Sequence, residues 1–179
     1  MNPDLRDLIV ELRADLEADQ PATLLWGQIN QGAPADKISD DVPQPVRELL
    51  EVADGVRAGD FEILGTADLD YWRNLLGHMP EFSGVADEPA EWYYLGLLAR
   101  EPLLLRRDTG AVWWCPQTSN DPFYVREEFE ELMPNLEYFL AAYVFGPLYI
   151  DVAGDDGWWE FLDEHGLTTV DEDDEEPDE

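Results

Sequence analysis

The sequence predicts an α+β fold: a single domain in which an antiparallel meander sheet packs with flanking helices. Three observations lead there. Amphipathic helical spacing occupies both ends of the chain. Between them stand three short aromatic and aliphatic runs, "EWYYLGLL", "PLLLRR" and "AVWWCP". The connections between those runs are too short for the crossover that a parallel neighbour requires.

Taken in order, Leu5, Leu8, Ile9, Leu12 and Leu16 follow the spacing of one helical face and predict a helix over Pro3 to Asp19, ended by Pro21. Gly27 to Asp41 is rich in Gly, Asp, Pro and Asn and reads as a connection with little regular structure. Val46, Leu49, Leu50 and Ala53 predict a second helix, with Pro43 or Pro45 at an early position. Gly55 then suits the left-handed residue after that helix, Gly59 turns the chain, and Phe61 to Leu64 begins the sheet. Leu69, Trp72, Leu75 and Leu76 predict a third helix, over Asp68 to His78.

The three apolar runs from Glu91 onward read as strands, with Asp108-Thr109-Gly110 as a tight hairpin between the second and third. "DPFYVREEF" either carries one more short strand or leads directly into helix. Glu127, Glu128, Glu130 and Glu131 are expected on a solvated helical face. Leu136, Phe139, Leu140, Tyr143 and Val144 predict a helix closed by Gly146-Pro147, and a last helix is expected around Trp158 to Glu164. The domain is expected to span 1–170, with 171–179 as a disordered acidic tail and no internal repeat. Trp92, Tyr94, Trp113 and Trp114 fall on neighbouring strands. Helices are expected to cover both sheet faces; an open face would instead present aromatics suited to protein binding.

Composition narrows the function. Ten basic against 42 acidic residues give a net charge of −32, and without the last nine residues 34 acids still face 10 bases. Such a surface repels nucleic acid and anionic lipid, and speeds encounter with a basic protein. In a generally acidic proteome the same charge would only maintain solubility. Hydrophobic residues make up 45% of the chain, enough for a packed core. The first twenty residues are charged throughout and no apolar run approaches a membrane span, so the protein is expected to be soluble and cytoplasmic.

No chemical motif emerges. Cys115 is the sole cysteine, which excludes an intrachain disulfide or a multi-cysteine metal site; within "AVWWC" it reads as a buried small residue. His78 and His165 sit at predicted helix ends, where a cation is favourable. "GVRAGDFEILG" has the wrong glycine spacing for a phosphate loop and enters a strand. An EF-hand reading of "DVAGDDGWWEFLDE" fails, because placing Gly157 sixth puts Val152 first and Gly154 third. Ser39, Ser83 and Ser119 lie in polar loop-like surroundings without a nucleophile signature. No cofactor and no metal are expected. An Asp/Glu pair working as acid and base remains the one enzymatic alternative.

The order of features resembles the SUKH superfamily. "DVPQPVRELLEVADGVRAGDFEILG" is similar to that family's helix, Asp-Gly junction, turn and short strand; "WYYLG" and "LLLRRDTGAVWW" resemble its aromatic strand and hairpin, and "NLEYFLAAYVFGPLY" its C-terminal helix. The likeness runs from about 42 to 149. It implies a non-enzymatic α+β binding protein: the family includes fungal cell-wall assembly regulators and bacterial immunity proteins that neutralise toxins, often nucleases. The expectation is therefore an immunity protein for a basic toxin domain, with a housekeeping scaffold or regulatory adaptor on the same fold as the alternative. Partner contact is expected at Asp60, Glu62, Asp108 and Trp113 or Trp114, with no nucleic acid, membrane or small-molecule substrate as partner.

Overall fold

A computed structural model describes residues 1–69, 71, 90–117 and 124–169. Seven strands form one antiparallel sheet in simple sequence order, and five α-helices accompany them among the described residues. The result is a single compact α+β domain, as the sequence predicts. The expected third helix lies almost wholly outside the described residues, as do His78, Ser83, Ser119 and the acidic tail.

Helix α1 (Pro3–Ala18) starts on an Asn2 side chain that accepts the Asp4 amide, and buries Leu5, Ile9, Leu12 and Leu16. Its Arg13 is buried too. The guanidinium donates to the carbonyls of Asn30 (3.3 Å) and Val52 (2.8 Å), so a charged residue within the apolar face ties α1 to two other segments. Helix α2 (Gln44–Val52) begins after Pro43 and buries Val46, Leu49, Leu50 and Val52.

The region read as an irregular connection carries the first strand, β1 (Gly27–Ile29), and a 3-10 turn at Ala35–Lys37. A three-residue strand has no periodicity to display; its pairing with β2 makes it a strand. Strands β2 (Val56–Ala58) and β3 (Phe61–Ile63) form a hairpin about Gly59-Asp60, so the sheet is already two strands wide before Phe61. Gly55 has a φ of +97° but does not cap α2, whose cap residue Ala53 is extended. Gly55 turns the chain into β2, where a Cβ would sit 3.2 Å from the Gly65 amide nitrogen. Asp54 stitches that junction to the far end of β3 through Thr66, at 2.5 Å to its amide and 2.8 Å to its hydroxyl.

Strands β4 (Trp92–Leu98), β5 (Glu101–Arg106) and β6 (Val112–Trp114) are the expected meander. Strand β7 (Glu130–Met133) follows a 3-10 turn at Arg126–Glu128. Glu127, Glu130 and Glu131 are exposed, but on a turn and an edge strand instead of a helical face. Helix α3 (Leu136–Phe139) continues as a π-helical turn over Leu140–Val144 and closes before Gly146-Pro147. A short α4 (Tyr149–Ala153) was not foreseen, and α5 (Gly157–Glu164) is capped by Asp156, which accepts the Trp158 and Trp159 amides. His165 stands at the end of α5, its ring nitrogens 2.7 Å from the Phe161 carbonyl and 3.0 Å from Asp15.

Strand register divides the sheet. Ile29, Val56, Ala58, Phe61, Ile63, Leu98, Leu103, Leu105 and Val112 share one face and are all buried. Helices pack there: the Phe61 ring lies 5.7 Å from Phe139 and 5.8 Å from Tyr149. The other face is split. Trp92, Tyr94 and Leu104 are buried, whereas Gln28 and Arg57 on β1 and β2 are open to solvent. Against the expectation of helical cover on both faces, no helix among the described residues covers this face over β1 and β2. No helix among the described residues is long and apolar enough to cross a membrane.

Candidate functional site

The open part of the sheet leads into a cavity of about 540 Å³, lined by Trp26, Arg57, Asp60, Glu62, Leu97, Ala99 and Arg100 with Gly59 and Phe61. Two hairpin tips build it. At the first, Gly59 has a φ of +57° and Asp60 does not share it, the pattern of a two-residue turn with glycine leading. At the second, Ala99 and Arg100 connect β4 to β5 with φ values of +51° and +73°. The tips are joined to one another and to β1: the Ala99 amide donates to the Asp60 carbonyl (2.9 Å) and the Gly59 amide to the Trp26 carbonyl (2.8 Å).

Beneath the first tip lies Tyr149. Its hydroxyl accepts the Asp60 amide (3.3 Å) and donates to Asp156 Oδ2 (2.7 Å), linking the hairpin to the cap of α5. Burial, then the Asp156 contact, pushes the Tyr149 hydroxyl well above the usual phenol range. A Cβ at Gly59 would fall 1.9 Å from that hydroxyl, so glycine is required there for space as well as for backbone conformation.

Arg57 and Glu62 face each other across β2 and β3 and form an ion pair at 3.2 Å, half and one-third exposed. Asp60 and Arg100 are both exposed, and neither side chain forms a hydrogen bond or ion pair with another described residue. Trp26 is 61% exposed and its neighbour Leu25 80%. The lining thus offers a free cation, a free anion, a neutralised pair and an indole: groups for ion pairing and stacking.

Of the residues predicted for partner contact, the structure brings Asp60 and Glu62 into this cavity. Asp108 lies at the opposite end of β5, roughly 17 Å along the strand, where it accepts from Arg106 Nε at 3.1 Å. Trp113 points to the same face as Glu62 but is half-buried, edge-on to Trp92 at 5.9 Å and under the Arg126 guanidinium at 5.2 Å. Trp114 points to the opposite face and is also half-buried. The cavity's Trp26, Arg57 and Arg100 were not foreseen. A signal existed in "LLAREP": two apolar runs separated by only three residues, none of them glycine or asparagine.

Burial pushes the Cys115 thiol up, away from the reactive thiolate. Among the described residues no group of three or more His, Cys, Asp or Glu is placed to hold a metal ion. No protein-family model matches the sequence. No curated protein matches it significantly.

Proposed function

We propose that this protein is a non-enzymatic, cytoplasmic immunity protein of SUKH type, which docks a toxin domain on the cavity between its two hairpin tips. The observation that carries the reading is Trp26. A large indole, mostly exposed, stands at a concave site whose floor is a solvent-open part of the sheet. Exposed aromatics beside a pocket are the common anchors of protein interfaces. The acidic body supports a basic partner, because its field speeds encounter while the cavity fixes register. The order of helix, Asp-Gly junction, hairpin and aromatic meander supports the family reading.

Co-expression with the product of the neighbouring gene tests it, scored by rescue from toxicity and by co-purification. Rescue is expected with the wild-type chain. Trp26→Ala is expected to weaken the complex at least tenfold, or roughly 1.4 kcal/mol. Association should slow as salt rises. No rescue and no complex with any neighbouring toxin sinks the proposal.

A further inference from the structure

The Ala99-Arg100 turn breaks a local rule without a packing reason. A two-residue hairpin with positive φ at both positions favours Asn-Gly or Asp-Gly, because a Cβ is strained in the left-handed region. Here an alanine and an arginine occupy it, and both are exposed. Glycine would fit without strain and without leaving a hole. Strain kept where packing does not require it marks a position whose side chain is used.

Arg100 is also rare for its place. The chain has ten basic residues against 42 acidic ones, and two of the ten line this cavity. Arg57 is neutralised by Glu62, which leaves Arg100 as the uncompensated cation. Asp60 lies in the same lining but outside ion-pair distance of Arg100, so the two opposite charges remain available separately. A small inorganic anion would meet Arg100 and the repulsion of Asp60 together. A carboxylate carried on a peptide also gains apolar contact with Trp26 and Leu97. Guanidinium binds carboxylate through paired parallel hydrogen bonds.

We infer that Arg100 is the specificity residue of this cavity, and that it takes an Asp or Glu side chain presented on an apolar loop of the partner. The inference rests on the docking role proposed above and refines it: the partner is basic at large, yet inserts an acid here.

The test uses the full-length chain, with the Trp26 indole N–H and Arg100 Nε–H followed by NMR. The probes are acetyl-Leu-Glu-Leu-amide and its Gln and Lys counterparts. Saturating shifts of both resonances are expected with the Glu peptide, with at least tenfold weaker response to the Gln and Lys peptides. Arg100→Gln should abolish the preference. Arg100→Gly should abolish it as well, while raising the unfolding midpoint by about 2–4 °C through relief of the turn. Equal response to Glu and Gln, a preference for Lys, an unchanged preference in Arg100→Gln, or no shift with any peptide overturns the inference. The two proposals fail separately. Rescue that persists undiminished in Arg100→Gln removes the role of Arg100 and leaves the docking function. Absence of rescue by the wild-type chain removes the toxin and leaves the peptide preference to stand on its own measurement.

Discussion

Two hairpin tips meet at one end of this sheet and solve the same geometric problem in opposite ways. The Gly59-Asp60 turn puts glycine where the backbone turns left-handed and is held from below by Tyr149. The Ala99-Arg100 turn has no glycine, exposes both side chains and hangs on the first turn through a single amide-carbonyl bond at 2.9 Å. One turn is built for stability. The other accepts strain to present a side chain. The contrast teaches that conformity to turn chemistry marks the scaffold of this cavity, and departure from it marks the working part.

The largest expected effect breaks the scaffold turn. Gly59→Val places a branched side chain at a φ of +57° and against the Tyr149 hydroxyl, and is expected to destabilise the fold by about 3 kcal/mol in urea titrations. A loss under 1 kcal/mol would show that the two turns are equally tolerant.

Removing the prop beneath that turn comes next. Tyr149→Phe leaves the Asp60 amide and Asp156 with one partner fewer, for an expected loss of about 1–2 kcal/mol. The same hydroxyl sets an alkaline limit. Burial raises Tyr94 and Tyr149 above their usual 10.0, so above that pH the unfolded chain holds fewer protons than the folded one. The stability these two hydroxyls contribute is fully present below pH 10 and falls as pH rises beyond it, by about 1.4 kcal/mol per pH unit for each tyrosine. Unfolding measured between pH 9 and 11 should show that decline, with the buried Cys115 thiol adding to it, and Tyr149→Phe should remove about 1.4 kcal/mol per pH unit of the slope above pH 10. A flat profile would contradict the burial of both rings.

The strained turn should respond with the opposite sign. Ala99→Gly is expected to stabilise the chain by about 1 kcal/mol, since it removes a Cβ from the left-handed region. Destabilisation would mean that the turn is held by contacts and not under strain. The smallest effect belongs to the pair between the tips. Glu62→Gln disrupts the partly exposed Arg57–Glu62 ion pair and should change stability by no more than about 0.5 kcal/mol, an effect erased by high salt.

Legibility in the sequence followed element length. Helices α1, α2 and α5 and strands β4 to β6 are long or apolar enough to display a period, and their positions were readable to within a few residues. Strands β1, β2 and β7 have three or four residues each and exist because a neighbour pairs with them. Within the cavity, Asp60 and Glu62 were visible as polar residues beside a glycine turn. Trp26, Arg57 and Arg100 come from three separated segments, and no spacing along the chain connects them.

What the sequence determined by itself was the class of fold, the buried character of Cys115 and an acidic surface, because periodicity, turn chemistry and charge are local or additive properties. What only the tertiary structure decided was which part of the sheet stays open, which two turns meet, and which of ten cations lacks an acidic partner there. Those depend on register. Moving a strand by one residue would turn its entire open face into the core, and composition carries no record of that choice.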